Sequence, residues 1–524
     1  MNRARIGPAR CCLALVACLG LCSCALRRGP DSRNSTTAAW AADVPPTEPL
    51  GAASTNSAGG RLALTVESAI MTALERNISF QIERLGPALS RTEEDIQRAV
   101  FDPALSATLS AGKEEEDGRD DASAAGTLRN PETVSLASGL TKALSTGTSV
   151  KLSLSADSIG ADDNADSEEM SWDVTMTQSL LKGRGAAANL ARLRQAQVDT
   201  LRSLQELRGA AEALVADVER AYWDCILAER SLEIYERSLA VANRELEEVR
   251  ERIRVGRVAQ TELAAAEAEV ASRREQLIEA RGTFSKRRLN LIRLVNLSAN
   301  GPGWNVDLAL TEEPELDPVK MDDVEAHVGV ALKMRPDLEQ ARLELRHGEL
   351  DIVRTRNGLL PKLDLFVTLG GSLYARSFSD ATEEEGDTTA YSAGVLLEVP
   401  LGNRDAGARY VRAQLSLAQI QAALRNMEQL VQVDVRSAYV DVARTAERVK
   451  ATKATRELRQ KTLDNEQEKF RVGRSTTFLV SQARRDLVAN QIAEVEAVIE
   501  YRKSLLTLYR LDGSLLTRKG IAVE

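Results

Sequence analysis

Two copies of one long pattern lie head to tail in this 524-residue chain. Ala73-Leu74 recurs as Ala331-Leu332 and Pro103 recurs as Pro361, both at a spacing of 258. Ala221-Tyr222-Trp223-Asp224 recurs as Ala438-Tyr439-Val440-Asp441, and Arg254-Val255-Gly256-Arg257 as Arg471-Val472-Gly473-Arg474, both at a spacing of 217. One register kept across such distant blocks marks internal duplication, which fixes architecture before any local reading. The drop from 258 to 217 places an insertion of 41 residues in the first copy, between Pro103 and Tyr222.

Each copy joins alternating stretches to very long proline-free ones. After Pro103, residues 104–111 read Ala-Leu-Ser-Ala-Thr-Leu-Ser-Ala; after Pro361, residues 362–369 read Lys-Leu-Asp-Leu-Phe-Val-Thr-Leu. Residues 149–155, 171–180 and 391–399 alternate in the same way, as strands with two unlike faces do. The insertion falls in this region and leaves room for further short strands there. All 14 prolines lie outside residues 132–301 and 401–524. From Leu214 to Ile253 apolar or small residues recur in alternating steps of four and three, a heptad seam. A second seam runs from Leu263 to Leu294. Cys225 sits on the first, which makes it a small buried hydrophobe rather than a reactive thiol.

Length carries the argument further. Residues 184–255 as one helix would reach about 108 Å at roughly 1.5 Å per residue, which no compact core requires. Strands of about nine to eleven residues suit an outer-membrane barrel. Open sheet edges are not tolerated in lipid, so a barrel built from so few strands must be shared among chains.

Composition agrees. Charged residues make up 28% and aromatics only 4%, a mixture suited to long helices rather than a large globular core. The net charge of −9 argues against nucleic acid, which favours a basic face. The two histidines, His327 and His347, read as packing residues, so a histidine-based metal or acid–base site has little material. No phosphate-binding loop or catalytic constellation stands out: no cofactor, no metal and no enzymatic activity are expected.

The N-terminus reads as an export signal. Arg3, Arg5 and Arg10 precede an apolar run from Cys11 to Ser23, too short to span a bilayer as a helix. Leu21-Cys22-Ser23-Cys24 resembles a lipoprotein processing site with Cys24 as acceptor; Leu15-Val16-Ala17-Cys18, with Cys18, is the alternative. Plain secretion with cleavage nearby is the remaining reading. Two or three acyl chains would anchor the protein durably. The expected organisation is a signal peptide over 1–24, a flexible tether over 25–60 and a first repeat over 61–300. Within that repeat, strands occupy about 104–180 and a helical hairpin 183–300. A linker over 301–320 leads to a second repeat over 321–513, with strands at about 362–400 and a hairpin over 402–512. A tail over 514–524 ends the chain.

From about Leu62 to Asp512 the pattern resembles the TolC family of bacterial outer-membrane efflux channels. The resemblance rests on the proline-led strands at Pro103 and Pro361 and on two strand-to-helix junctions, Ser179-Leu180-Leu181-Lys182-Gly183 and Val399-Pro400-Leu401-Gly402. It rests equally on the repeated Val-Gly-Arg motif. It implies a mainly α fold with β structure. Long duplicated helical hairpins would form an α-barrel, and four membrane strands per protomer would contribute to a shared, trimeric 12-stranded β-barrel. It implies hairpin tips at Val255, Gly256, Arg257 and Val472, Gly473, Arg474 that dock on a periplasmic adaptor bound to an inner-membrane pump or ABC transporter. Arg254 and Arg471 would join Arg257 and Arg474 in a cationic rim at the narrow end. Some members place acids just after the second glycine; Ser475 to Val480 has none, which leaves Glu262 as the acidic aperture candidate.

The expected function is therefore a passive trimeric duct in the outer membrane, lipid-anchored and extending into the periplasm. It would serve as the outer component of a tripartite efflux or type I secretion system. A lipid-anchored periplasmic coiled-coil adaptor or scaffold without a pore is the alternative, and it leaves the paired strands in both copies unexplained.

Overall fold

The computed structural model describes residues 61–113, 132–160, 167–256, 260–297, 303–313, 321–375 and 388–522. The chain divides into two units, Met1–Ala63 and Leu64–Glu524. Of the first only residues 61–63 are described, so Cys18, Cys24 and the tether lie outside the described residues. The fold is that of the second unit.

After a short strand, Arg61–Leu64, the first repeat has three short helices, α1 (Val66–Arg76), α2 (Ile78–Arg84) and α3 (Gly86–Ala99). Four strands come next: β1 (Ala104–Lys113), β2 (Glu132–Ala143), β3 (Thr148–Gly160) and β4 (Ser167–Ser179). The first hairpin is α4 (Ala191–Arg254) with α5 (Thr261–Val295). The second repeat runs α6 (Val324–Met334), α7 (Pro336–Gly358), β5 (Lys362–Ala375), β6 (Thr388–Glu398), then the hairpin α8 (Arg404–Arg471) with α9 (Thr477–Leu511). At 64 and 68 residues, α4 and α8 are each about 100 Å long.

Local sequence sets the helix limits. Thr65 and Ser68 form a reciprocal capping box at the start of α1, with Ser68 N–H donating to Thr65 Oγ1 at 3.1 Å and Thr65 N–H to Ser68 Oγ at 2.9 Å. Besides the break before Gly86-Pro87, the opening helical segment has one at Asn77. There the side-chain oxygen accepts from Phe80 N–H at 3.1 Å and the amide donates to the Leu294 carbonyl at 2.9 Å. Those two bonds draw Asn77 out of helical geometry. In the second repeat the equivalent break falls at Arg335, with Pro336 pre-set for the first turn of α7.

The duplication persists in the core. Val218, Ala221 and Cys225 of α4 are buried at the places where α8 buries Val435, Ala438 and Val442. Cys225 thus stands where the other copy has valine, and burial pushes its thiol up to about 12. His327 and Asp512 make a buried polar pair, His327 Nδ1 to Asp512 Oδ2 at 2.8 Å. The corresponding positions of the first repeat are Ala69 and Val295, both buried and apolar.

The six strands form one antiparallel sheet in the order β1-β2-β3-β4-β5-β6. The family resemblance implies four membrane strands per chain; this sheet holds six, and the expected 12-strand total does not follow from it. The physical reason is the insertion. β1 and β4 adjoin helices as β5 and β6 do, whereas β2 and β3 are joined to each other by a tight turn at Leu144–Gly147.

Candidate functional site

The two hairpin tips are built alike. Each long helix ends on valine, Val255 or Val472, with φ −91° at both and ψ 10° or 9°. A glycine in left-handed conformation follows, Gly256 at φ 70° and Gly473 at φ 76°. Gly256 N–H donates to the Ile253 carbonyl at 2.9 Å and Gly473 N–H to the Phe470 carbonyl at 3.0 Å. In the second copy Arg474 N–H adds a bond to the Lys469 carbonyl at 2.7 Å, completing the C-terminal cap. A Cβ at either glycine would meet no neighbour within 4 Å, so backbone conformation rather than space favours glycine there. Val255 and Val472 are 61% and 69% exposed, leaving two apolar knobs at the turns. Arg257 lies outside the described residues.

The other tip residues are engaged. Arg254 pairs with Glu251 at 2.7 Å and Arg471 with Glu468 at 3.1 Å, so these two of the four expected rim cations carry an acid one turn back. Glu262 accepts from Thr477 Oγ1, which ties α5 to α9. Farther up, Glu269 receives both Arg485 of α9 at 2.8 Å and the buried Arg273 at 2.7 Å, and Arg484 pairs with Glu245. These cross-hairpin ties are invisible in the sequence, because no spacing rule brings residues 269 and 485 together.

The helix–strand junctions of the two repeats interlock. Pro103 directly precedes β1 and Pro361 precedes β5. Gly183 has φ 84°; its N–H donates to Asn357 Oδ1 of the second repeat at 2.8 Å, and Lys182 N–H donates to the Pro361 carbonyl at 3.3 Å. Gly402, at φ 96°, opens the matching turn after Pro400, and Asn403 Nδ2 donates to the Leu359 carbonyl at 2.9 Å. Asn357 and Asn403 do not stand out as junction residues in the sequence; their only signal is an amide near a helix terminus.

The sheet has two unlike faces. Residues directly opposite one another in antiparallel strands share a face. The row Leu105–Leu140–Leu152–Val174–Leu369–Tyr391 crosses all six strands and is apolar throughout. The row Ala104–Thr141–Lys151–Thr175–Thr368–Ser392, on the other face, is mostly polar. Ser110 and Ser135 share a hydrogen bond of 2.5 Å there, Ser155 and Ser171 one of 2.6 Å, and Thr175 and Thr368 one of 3.0 Å. Leu105 is 64% exposed and Tyr391 88% exposed, so none of the described residues covers the apolar side at those positions. Among the described residues, the outer edges of β1 and β6 have no partner strand.

The sequence profile described as outer membrane efflux protein matches residues 69–297 and 328–514, most of both repeats. The chain belongs to the outer membrane efflux protein family. It is 23% identical over 327 residues to the outer membrane efflux protein BepC of Brucella suis biovar 1 (strain 1330), covering 62% of this chain and 68% of that one. Its fold is similar to the Campylobacter jejuni CmeC outer membrane channel, with TM-score 0.62, 14% identity, and 86% of each chain covered. It is likewise similar to the outer membrane protein VceC of Vibrio cholerae, with TM-score 0.62, 16% identity, and 86% of this chain and 96% of that one covered. As a member of the outer membrane efflux family the protein is a channel component, located in the outer membrane and reaching into the periplasm. The family is one of channel proteins rather than enzymes. Among the described residues no helix is long and apolar enough to cross a membrane.

Proposed function

We propose that three copies of this chain assemble into a passive duct that crosses the outer membrane as a closed β-barrel and the periplasm as a helical tunnel. The observation that carries the reading is the sheet: among the described residues its apolar row is uncovered at Leu105 and Tyr391, and neither outer edge has a partner strand. In hydrocarbon an unpaired edge costs several kcal/mol per backbone group, so the edges must be closed by neighbouring copies. A scaffold that never entered the membrane would leave the same face in water.

The tips at Val255, Gly256, Val472 and Gly473 dock on a periplasmic adaptor held by an inner-membrane pump or ABC transporter, which supplies the energy. Two equivalent turns, each with an exposed valine, support that assignment. Arg257 and Arg474 join the docking surface, and Glu262, with Arg254 and Arg471, borders the aperture. The chain performs no catalysis and needs no cofactor or metal. Cys24, or alternatively Cys18, carries the lipid that holds the N-terminus at the membrane. Electrophoresis of isolated outer membranes without boiling tests the assembly. A band at three times the chain mass that collapses on heating is expected, and a band at one chain mass before heating contradicts the reading.

A further inference from the structure

We infer that the hairpin β2–β3 is an additional membrane-inserted panel of the barrel wall, so that three chains close eighteen strands and the outlet is as wide as the helical tunnel that feeds it. The inference rests on the trimeric duct proposed above and specifies its exit.

Three observations place the hairpin in the wall. First, β2 is hydrogen-bonded along its length to β1 and to β3, and β3 to β4, so the inserted strands sit in the interior of the sheet. Removing them from a barrel would tear the ladder between β1 and β4. Second, they continue both faces without interruption. Leu136, Leu140, Leu152 and Leu154 lie on the apolar side, while Ser135, Thr141, Lys151 and Ser153 lie on the polar one. At 12 and 13 residues they exceed the about nine to eleven that a membrane strand needs, so they are long enough to cross.

Third, the turn between them is fastened to the start of the helical region. Ser179 N–H donates to the Gly147 carbonyl at 3.0 Å and Gly185 N–H to the Thr146 carbonyl at 3.0 Å. Asn189 Nδ2 bonds both the Ser145 carbonyl at 3.0 Å and the Gly183 carbonyl at 2.7 Å. The packing at Gly147 is so close that any Cβ there would overlap the Gly183 carbonyl oxygen. A hairpin lying outside the wall would have no reason to end on this junction.

The geometry of closure agrees. Four helices of each chain adjoin the sheet (α3, α4, α7 and α8), so three chains present twelve helices to the barrel. Twelve helices at interaxial distances of 8–10 Å form a ring about 31–38 Å across. Twelve strands spaced about 4.8 Å apart and tilted about 40° close at roughly 24 Å, whereas eighteen close at roughly 36 Å. The six-stranded sheet therefore meets the helical ring nearly wall to wall, and a four-stranded one would step inward. Serine, threonine and glycine predominate on the polar face, so few side chains fill the extra width. An outlet of this kind suits hydrated, polar cargo of porin-permeant size or larger, with selection exercised at the helix tips.

Nitroxide labels on single cysteines at Leu136, Leu152, Ser135 and Ser153, in full-length protein reconstituted in lipid, test the panel. Collision with oxygen, which concentrates in hydrocarbon, is expected to dominate at Leu136 and Leu152. Collision with a water-soluble nickel chelate is expected to dominate at Ser135 and Ser153, with several-fold opposite ratios. Labels at Leu365 and Val395, on β5 and β6, are the reference. Nickel access at Leu136 and Leu152 with oxygen access at Leu365 and Val395 overturns the panel while leaving the duct standing. Nickel access at all four overturns both. Electron micrographs of the same particles give the diameter: roughly 36 Å supports eighteen strands, and roughly 24 Å contradicts them.

Discussion

Gly513 lies against the backbone of Met334, where a Cβ would stand 2.9 Å from the Met334 carbonyl carbon. The first repeat solves the same contact differently. Asn296, in left-handed conformation at φ 54°, donates its side-chain amide to the Arg76 carbonyl at 2.7 Å. Each residue ends its repeat's hairpin and locks it to the short helix that opened the repeat. One does so by a hydrogen bond, the other by close approach.

Gly513→Ala is therefore expected to lower stability by more than the roughly 1–2 kcal/mol that a left-handed residue alone costs. Gly520, at φ 67° with no neighbour near its Cβ, supplies the comparison. Thermal melts of Gly513→Ala and Gly520→Ala should differ clearly; equal losses would mean that the contact with Met334 relaxes freely.

Replacement of Gly473 by valine should impair export while leaving membrane insertion intact. A β-branched residue resists φ 76°, and the cap that shapes the tip would re-form differently. Gly473→Asn should retain most export, since asparagine tolerates the left-handed region. Normal efflux from the valine variant, measured against its amount in isolated outer membranes, would count against docking at the tip.

Arg485→Ala should loosen the tip by removing one cross-hairpin partner of Glu269. Glu269 is mostly buried and shared with Arg273, so a double-mutant cycle with Glu269→Ala should show coupling of at least about 0.5 kcal/mol. Single-channel recordings should show more frequent or larger openings in Arg485→Ala. Unchanged openings would remove the tie from any part in closure.

Glu212 gives a pH signature. Burial raises its carboxyl from the ordinary 4.5 to about 7, against the opposing pull of Arg208 at 3.5 Å. Between those values the folded chain keeps a proton that the unfolded chain has lost. Glu212 therefore subtracts progressively more stability as pH rises from about 4.5 to 7, and no more beyond. Glu212→Gln lacks this loss, so its melting temperature should gain on the unsubstituted protein across that window and then run parallel. A constant difference from pH 4 to 8 would contradict the account.

The long helices are legible in the sequence because a seam such as Val218, Ala221, Cys225 repeats one packing geometry over many turns, and because proline is absent from it. β1 and β5 are legible from their leading prolines. β2 does not announce itself: Ala137, Ser138 and Gly139 dilute its alternation, and a strand interior to a sheet tolerates small residues. The break at Asn77 is hidden because it depends on a carbonyl 217 residues away, at Leu294. The junction bonds from Gly183 to Asn357 and the tip ties from Glu269 to Arg485 depend in the same way on side chains that meet only after both repeats have folded. Sequence periodicity reports the faces of an element; it says little about which element will meet it.

Current through planar lipid bilayers exposed to the purified full-length protein probes the duct itself. Stepwise increases in conductance, each from one inserted assembly, are the predicted result. A protein that stays monomeric and soluble without detergent, and carries no current, would contradict it.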